Sequence, residues 1–587
     1  MMVAETRPTT LMELLDHAAA SESTGLRLLD RRERETFVSW QALRVQALKV
    51  GGALQARGLQ PGDRVGLIFP TGLGFFTSFF GVLAAGGIPA PLYPPVRLGR
   101  LDEYHARSAR MLGAIQARMV LTDKKVHRVI GEVIEAARPE LGCVRVEDLD
   151  EASPADFMPS PEALGLIQYS SGTTRDPAPV ALSHRALIAQ ASVVLDGIVD
   201  TFPLEEVGAH AGASWLPLYH DMGLIGTVMP SMLHRANLAL IGPEVFVARP
   251  AVWLRMVSRY GATVSPAPNF AYALCVDRIR DEELEGVDLS CWRLALNGAE
   301  AVAPRVLDQF CDRFAPWGFR REALTPVYGL SEASLAVSFS EMRSEATELR
   351  LDRDRLELEG VAEVREDGDR WSSVGRPLHG FDVEIRNAGD VLEEGHVGRL
   401  WVQGPSLMDG YYGQPERTKE TLVEGWLDTG DRAFLHDGEL YIVGRDKDVL
   451  IVRGRNIAPA SLEDFVDSVE GVRVGCSAAV SISNPDGATE GIRLFVECRK
   501  DASAAAQDAM PDACKDAVLR GIGVHIDDVV VLKAGTLPRT SSGKIRRTET
   551  RTRWEAGSLQ PPDRVTPLRM VGVTWRSARA HRQAKDT

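Results

Sequence analysis

Cysteine is scarce and scattered: seven in 587 residues, at positions 143, 275, 291, 311, 476, 498 and 514, an odd number with no C-x-x-C pair. That pattern argues against a disulfide framework and fits reduced thiols in a cytoplasmic chain. No His/Cys spacing resembles a zinc site. Positive charge is also in deficit, with 67 Lys and Arg against 81 Asp and Glu, a net charge of −14 and a pI near 5.5. Such a surface repels nucleic acid and anionic membranes. Met1 to Ala20 carries acids and no apolar run, so no secretory signal is expected. Val65–Val96 has no charged residue and is long enough to span a bilayer, yet Pro70, Gly72, Gly74, Gly86, Gly87, Pro89, Pro91, Pro94 and Pro95 break it up. It reads as a buried β-α-β unit: strand Val65–Phe69, helix Phe75–Ala85, strand Ile88–Leu92. No integral membrane association follows.

What remains is ordinary globular composition, 44% hydrophobic and 25% charged, in a chain long enough for three or four folding units. Helical and strand-like segments alternate through the first 340 residues. Trp40–Arg57, Leu182–Val199 and Ala251–Tyr260 read as helices; Leu164–Gln168, Leu238–Ile241 and Ala262–Ser265 read as strands. That alternation predicts an α/β fold with a largely parallel sheet. Glu341–Arg370 is about half charged and predicts a solvated surface insertion. Strand-like segments dominate beyond it, at Asp382–Arg386, Gly398–Gln403, Glu439–Val443 and Val449–Val452. A smaller α+β region follows Gly454, with strands at Ala478–Ile482, Leu494–Cys498 and Val529–Lys533. From Trp554 the chain is polar and basic, which predicts a poorly ordered tail.

Three segments carry chemistry. Tyr169-Ser170-Ser171-Gly172-Thr173-Thr174 follows an apolar strand, and its hydroxyls and Gly suit phosphate oxygens. It lacks the lysine of a Walker loop, and a Ser/Thr-rich turn that caps the helix Leu182–Val199 is an equally good reading of the loop alone. Trp426-Leu427-Asp428-Thr429-Gly430-Asp431 puts a carboxylate on a tight turn, an acceptor for ribose hydroxyls. Arg445, fourteen residues on, is close enough to share them. Leu537–Ile545 carries Lys544 on a Gly-flanked loop, where an ammonium can bridge a carboxylate and a phosphate; an exposed tail lysine is the bland alternative.

These segments stand in one order with Trp215–Leu224, Asn297–Glu300, Tyr328–Ala333, Gly444–Asp448 and Arg453–Asn456. Across about residues 10–560 the chain resembles the acyl-adenylate-forming superfamily, and within it the fatty acyl-AMP ligases. The resemblance implies a large N-terminal domain (1–446, with the insertion at about 341–370), a small mobile C-terminal domain (447–560) and a tail (561–587). It implies that a fatty acid and Mg-ATP give acyl-AMP and pyrophosphate, after which a thiol takes the acyl group. Lys544 would contact the carboxylate and α-phosphate. Ser170, Ser171, Gly172, Thr173 and Thr174 would hold phosphate, with Thr173 and Glu332 serving Mg²⁺. Asp431 and Arg445 would hold the ribose, and Asn297, Gly298, Ala299, Tyr328, Gly329 and Ser331 would contribute to the nucleotide pocket. His220 would stand at the mouth of an acyl tunnel walled by runs such as Phe202-Pro203-Leu204 and Leu224–Met232. Lys447 would be the hinge.

The branch is indicated by His220-Asp221-Met222-Gly223, by the insertion, and by Ala178 where the wider superfamily carries Lys. Pro179 departs from both patterns and bears on loop flexibility. No Asp-Ser-Leu carrier motif follows Lys544, so the implied acceptor is the phosphopantetheine arm of a separate holo acyl carrier protein. A fatty acyl-CoA ligase, or a non-catalytic adenylate-binding relative, is the alternative. Hydrolase motifs at Ser331 and Ser541 lack their companions.

Overall fold

The computed structural model describes residues 7–95, 98–170, 177–452, 455–483, 490–540, 543–563 and 565–584. Near the front, strands Ile88–Leu92, Arg64–Ile68, Met119–Thr122 and Cys143–Arg145 form a four-stranded, all-parallel sheet in that order. Helix Leu73–Ala84 is the crossover between Arg64–Ile68 and Ile88–Leu92, so the β-α-β unit read from the uncharged stretch is present. Phe75, Phe76, Phe79 and Phe80 are all nearly inaccessible, because helix Trp40–Ala56 covers the crossover helix on its other side. Gly81 permits that closeness, since a Cβ there would lie 2.5 Å from Val50 Cγ1. A helix apolar all round is here a core helix. No described helix is long and apolar enough to cross a membrane.

A second layer runs Glu35–Ser39, Gly25–Leu29, Asn237–Leu240, Ala211–Ser214, the last three parallel. The strand expected at Ala262–Ser265 is reduced to isolated bridges, Val264 pairing with Gly212 and Leu294. Those bridges lead toward Ala295–Asn297 and Leu324–Gly329, the strands that end at the site. Leu182 opens no helix: Pro179–Ser183 is a strand, antiparallel to Leu164–Tyr169, and the helix is His184–Thr201, capped by Ser183. The loop after Tyr169 therefore joins a hairpin rather than a strand to a helix. Pro179 is the first residue of the second arm, a position where the ladder tolerates its missing N–H.

The β-rich region is an antiparallel sheet of Asp390–Val391, Asp382–Asn387, Gly398–Gln403 and Trp426–His436, with Glu439–Arg445 and Leu422–Val423 also paired to the last. Its core takes in the charged insertion. Leu351, Leu356 and Ala362 are buried with Val397, Phe434 and Tyr441, so the insertion is packed, not merely solvated. Composition misled because three apolar side chains suffice as anchors, while the charges pair locally: Arg353 with Asp369 at 2.5 Å, Arg365 with Asp352 at 2.8 Å, Arg370 with Glu348 at 2.7 Å. The insertion also meets residues beyond Lys447. Arg455 pairs with Asp354, and Asn456 Nδ2 donates to the Glu357 carbonyl at 3.2 Å.

Beyond residue 455, Val472–Ser483, Glu490–Cys498 and Asp528–Leu532 form a three-stranded sheet. Helices Pro459–Val466 and Ala504–Ile522 cover it, with Leu462, Val466, Leu494, Met510 and Val518 in a core of their own. The tail corrects the sequence reading. Pro567–Gln583 is a helix, capped by Thr566, that returns to the front sheet and packs on helix Gly131–Ala137. Val573 is 2% exposed there, Gly131 N donates to Ser577 Oγ at 2.8 Å, Arg576 pairs with Glu132 at 3.0 Å, and the His127 and His581 rings stack at 3.9 Å. One small apolar face on an otherwise cationic helix does not announce itself in composition.

Candidate active site

A cavity of about 290 Å³ opens where the front layers, the β-rich sheet and the last small region meet. Local chain geometry builds each wall. The hairpin Trp426–His436 / Glu439–Arg445 sets Asp431 directly opposite Arg445, so fourteen residues of sequence become one rung of a ladder. Arg445 Nε donates to Asp431 Oδ1 at 3.1 Å, and Tyr328 OH donates to Oδ2 at 2.6 Å. Asp431 is 6% exposed, and a buried carboxylate needs those donors. Burial, and then the Asp431 charge, push the Tyr328 phenol well up, so it stays a donor.

The opposite wall is the end of two parallel strands. Asn297 closes Ala295–Asn297 and is fully buried behind Gly298; its Nδ2 donates to Asn269 Oδ1 at 3.3 Å, while its Oδ1 has no partner among the described residues. Gly298 and Ala299 line the cavity, and Ala299 sits at φ +70, a left-handed conformation that strains a residue with a Cβ. Tyr328, Gly329, Ser331 and Glu332 line it from the next strand and turn. Gly329 has no substitute, because a Cβ would fall 1.8 Å from the Leu335 carbonyl oxygen. Glu332 Oε1 accepts from Tyr411 OH at 2.9 Å. Ser170 lines the cavity and pairs with Ala178 through both backbone and hydroxyl, at 3.0 and 3.1 Å, closing the feet of the loop. Ser171, Gly172, Thr173 and Thr174 lie outside the described residues.

Lys544 lines the same cavity, 113 residues beyond Asp431, and is no exposed tail lysine. Its loop is closed by Thr540 N to the Lys544 carbonyl at 2.8 Å and braced by Arg539, which donates to the carbonyls of Gly543 and Gly475 at 2.7 and 2.6 Å. Burial lowers the Lys544 pKa, as does repulsion by Arg445, against the pull of Asp221, Glu300 and Asp431. Lys447 lines the cavity too, in the turn closed by Asp448 N to the Arg445 carbonyl.

His220 and Asp221 start the short helix Asp221–Gly223 and line the cavity, which also has an apolar arm. That arm is walled by Val194, Leu296, Val327, Leu335 and Phe339. The expected wall runs contribute little: Leu204 is 43% exposed, Phe202 is packed behind the arm, and only Gly226 of Leu224–Met232 lines it. Apolar runs locate cores, not which core surface faces a cavity. Residues at the site with no role assigned from sequence include Asp221, Glu300 and Tyr411. The first two stand inside recognisable motifs, whereas Tyr411 carries no local signal. Glu300 Oε1 accepts from Phe270 N at 2.6 Å, and burial raises its carboxyl.

A basic loop, a buried carboxylate rung and apolar side chains thus meet in one cavity. The chain belongs to the AMP-binding enzyme family, which matches residues 16–412. The long-chain-fatty-acid–AMP ligase FadD26 of Mycobacterium marinum is 34% identical over 547 residues, 87% of this chain and 90% of that one. The medium-chain-fatty-acid–acyl-carrier-protein ligase JamA of Moorena producens is 33% identical, over 94% of this chain and 96% of that one. A solved structure from work on fatty acyl-adenylate ligases of E. coli and L. pneumophila matches with a TM-score of 0.85 at 33% identity, covering 94% of this chain and 99% of that one. The resemblance read from the motifs is borne out, as is the α/β fold class.

Proposed function

We propose that the protein activates a fatty acid with ATP to acyl-AMP and then passes the acyl group to the phosphopantetheine thiol of a holo acyl carrier protein. The observation that carries this reading is the meeting of Lys544 with His220, Glu332 and the Tyr328–Asp431–Arg445 cluster in a cavity that also has an apolar arm. A substrate carboxylate oxygen attacks the α-phosphorus, the bond to the β-phosphate breaks, and pyrophosphate leaves. Anion meets anion in that step, so charge neutralisation dominates the barrier. Lys544 would supply one positive charge between carboxylate and α-phosphate. Glu332, a hard oxygen donor of which Tyr411 uses one atom, fits a Mg²⁺ ligand, with Thr173 as its partner. The ion would neutralise phosphate charge. Asp431 and Arg445 would hold the ribose, Asn297 to Ala299 and Tyr328 to Ser331 would contribute to the nucleotide pocket, and the loop Ser170–Thr174 would hold phosphate.

In the second step a thiol sulfur attacks the acyl carbonyl carbon and AMP leaves. Residues 447–560 would turn about Lys447 between the two steps, with 1–446 as the fixed body and 561–587 as the tail. The carrier as acceptor is supported by the name of the relative JamA, a medium-chain-fatty-acid–acyl-carrier-protein ligase. Seven cysteines, all free, fit a cytoplasmic setting. The test is incubation of enzyme, ATP, Mg²⁺ and a panel of carboxylic acids with either CoA or holo carrier, read by product mass. Carrier loading in preference to acyl-CoA is the expected result; efficient acyl-CoA formation without carrier loading overturns the choice of acceptor.

A further inference from the structure

The carboxylate of Asp221 is the most heavily engaged anion in the cavity wall. It is 6% exposed and accepts from three directions. His220 Nδ1 lies 2.5 Å from Oδ1, Met222 N donates to the same oxygen at 2.7 Å, and the Ser331 hydroxyl donates to Oδ2. Ser331 stands 110 residues further along the chain, on the turn that carries Glu332. One carboxylate thus ties the His220 segment to the Ser331–Glu332 turn.

Its protonation state decides the state of the ring. Burial would raise the Asp221 carboxyl, but His220, Ser331 and the Lys544 ammonium outweigh it and draw it down to about 2. An ionised carboxylate only accepts hydrogen bonds, so the 2.5 Å contact requires the proton on His220 Nδ1. Met222 N also lies 3.4 Å from Nδ1, but a protonated nitrogen cannot accept, and its bond to Asp221 is the shorter. His220 lines the cavity, and Nε2 is the nitrogen left to face the reacting groups.

We propose that Asp221 is a positioning residue of this enzyme: it locks His220 in the Nδ1–H form, presents Nε2 to the acyl end of the cavity, and clamps the turn bearing Ser331 and Glu332 to it. The logic is that of a buried aspartate that fixes the tautomer and orientation of a working imidazole. The proposal rests on the acyl-activating reading for what His220 faces, but its geometric part stands apart from it.

The test uses the full chain labelled with ¹⁵N-histidine, His220 being assigned through His220→Gln. In wild type, His220 shows a protonated Nδ1 without substrate; an unprotonated Nδ1 overturns the proposal whatever the activity. Asp221→Asn, nearly isosteric, shifts the ring away from that form. It lowers kcat for pyrophosphate release by at least about tenfold, with KM for ATP unchanged. Adding His220→Gln to Asp221→Asn costs little further, because the two act as one unit. Losses that multiply, or a rise in KM for ATP with kcat intact, overturn it. Asp221→Glu restores the Nδ1–H signal in part, whereas a residue needed only for the helix turn shows no such rescue. Ser331→Ala, which removes a single donor, keeps the tautomer and checks the clamp separately. Wild type that forms no acyl-AMP from any acid, yet keeps the Nδ1–H ring, refutes the proposed function and not the geometry.

Discussion

Lys544 is a lysine whose setting works against its charge. Burial and Arg445 lower its pKa from 10.5, against the opposing charges of Asp221, Glu300 and Asp431. Lys544→Ala is expected to abolish acyl-AMP formation, a loss of about three orders of magnitude by analogy with other preorganised charge stabilisers, while transfer from preformed acyl-AMP largely survives. Pyrophosphate release and thioester yield, measured separately, check this. In the proposed role the charged form is the working form, so pyrophosphate release in wild type is expected to decline as pH rises through the lowered pKa. The alkaline limb therefore lies below pH 10.5, and a rate flat to that pH contradicts the role. The lysine, its motif and Asp431 were legible from the sequence, but the nearness of Asp221 and Glu300 was not, because they lie 323 and 244 residues earlier in the chain.

Elements are held by a few close approaches. The Gly475 turn supports the Lys544 loop through Arg539, and Asp467 Oδ2 in turn accepts from Gly475 N at 2.8 Å. Burial pushes the Asp467 carboxyl up to about 7. A raised carboxyl favours the protonated folded form, so its contribution to stability is complete at low pH and is lost as pH rises through about 7. Asp467→Asn keeps the acceptor and removes the charge. It should raise stability above pH 7 by about 1–2 kcal/mol, after screening for a partly exposed group, and change little at pH 4. Thermal melts at the two pH values decide it. The tail helix depends on Gly131, where a Cβ would lie 2.0 Å from the Ser577 carbonyl oxygen. Gly131→Val should undock Pro567–Gln583, costing about 1–3 kcal/mol and speeding hydrogen exchange in that helix alone.

At the scale of the molecule, the small region is held to the large one at several places besides the chain at Lys447. Arg553 forks onto Glu103 at 2.8 Å through both nitrogens, Arg100 donates to the carbonyls of Thr536 and Gln560, and Arg455 reaches the insertion. The rotation about Lys447 proposed above would have to break these contacts. Lys447→Pro, which fixes φ in the hinge turn, is expected to slow transfer more than about tenfold and leave adenylation within about threefold. Single-turnover measurement of each half-reaction tests it, and equal loss in both removes Lys447 from the hinge role.

Short motifs were readable because each is a few consecutive residues, as at Tyr169–Thr174, Trp426–Asp431 and Asn297–Glu300, although Asp431 lies inside strand Trp426–His436 rather than on the tight turn expected. The parallel β-α-β unit was readable for a similar reason, since periodicity and Gly/Pro breaks act over a dozen residues. Contacts between distant segments were not. Tyr328 meets Asp431 across 103 residues, Ser331 meets Asp221 across 110, and Tyr411 meets Glu332 across 79. The Arg455 bond to the insertion and the docking of a cationic tail helix belong with them. Such pairs depend on strand register and on which faces are brought together, and no local preference of the chain encodes that. The amino-acid order alone therefore declared the chemistry and its family, and folding in three dimensions chose the partners that tune it.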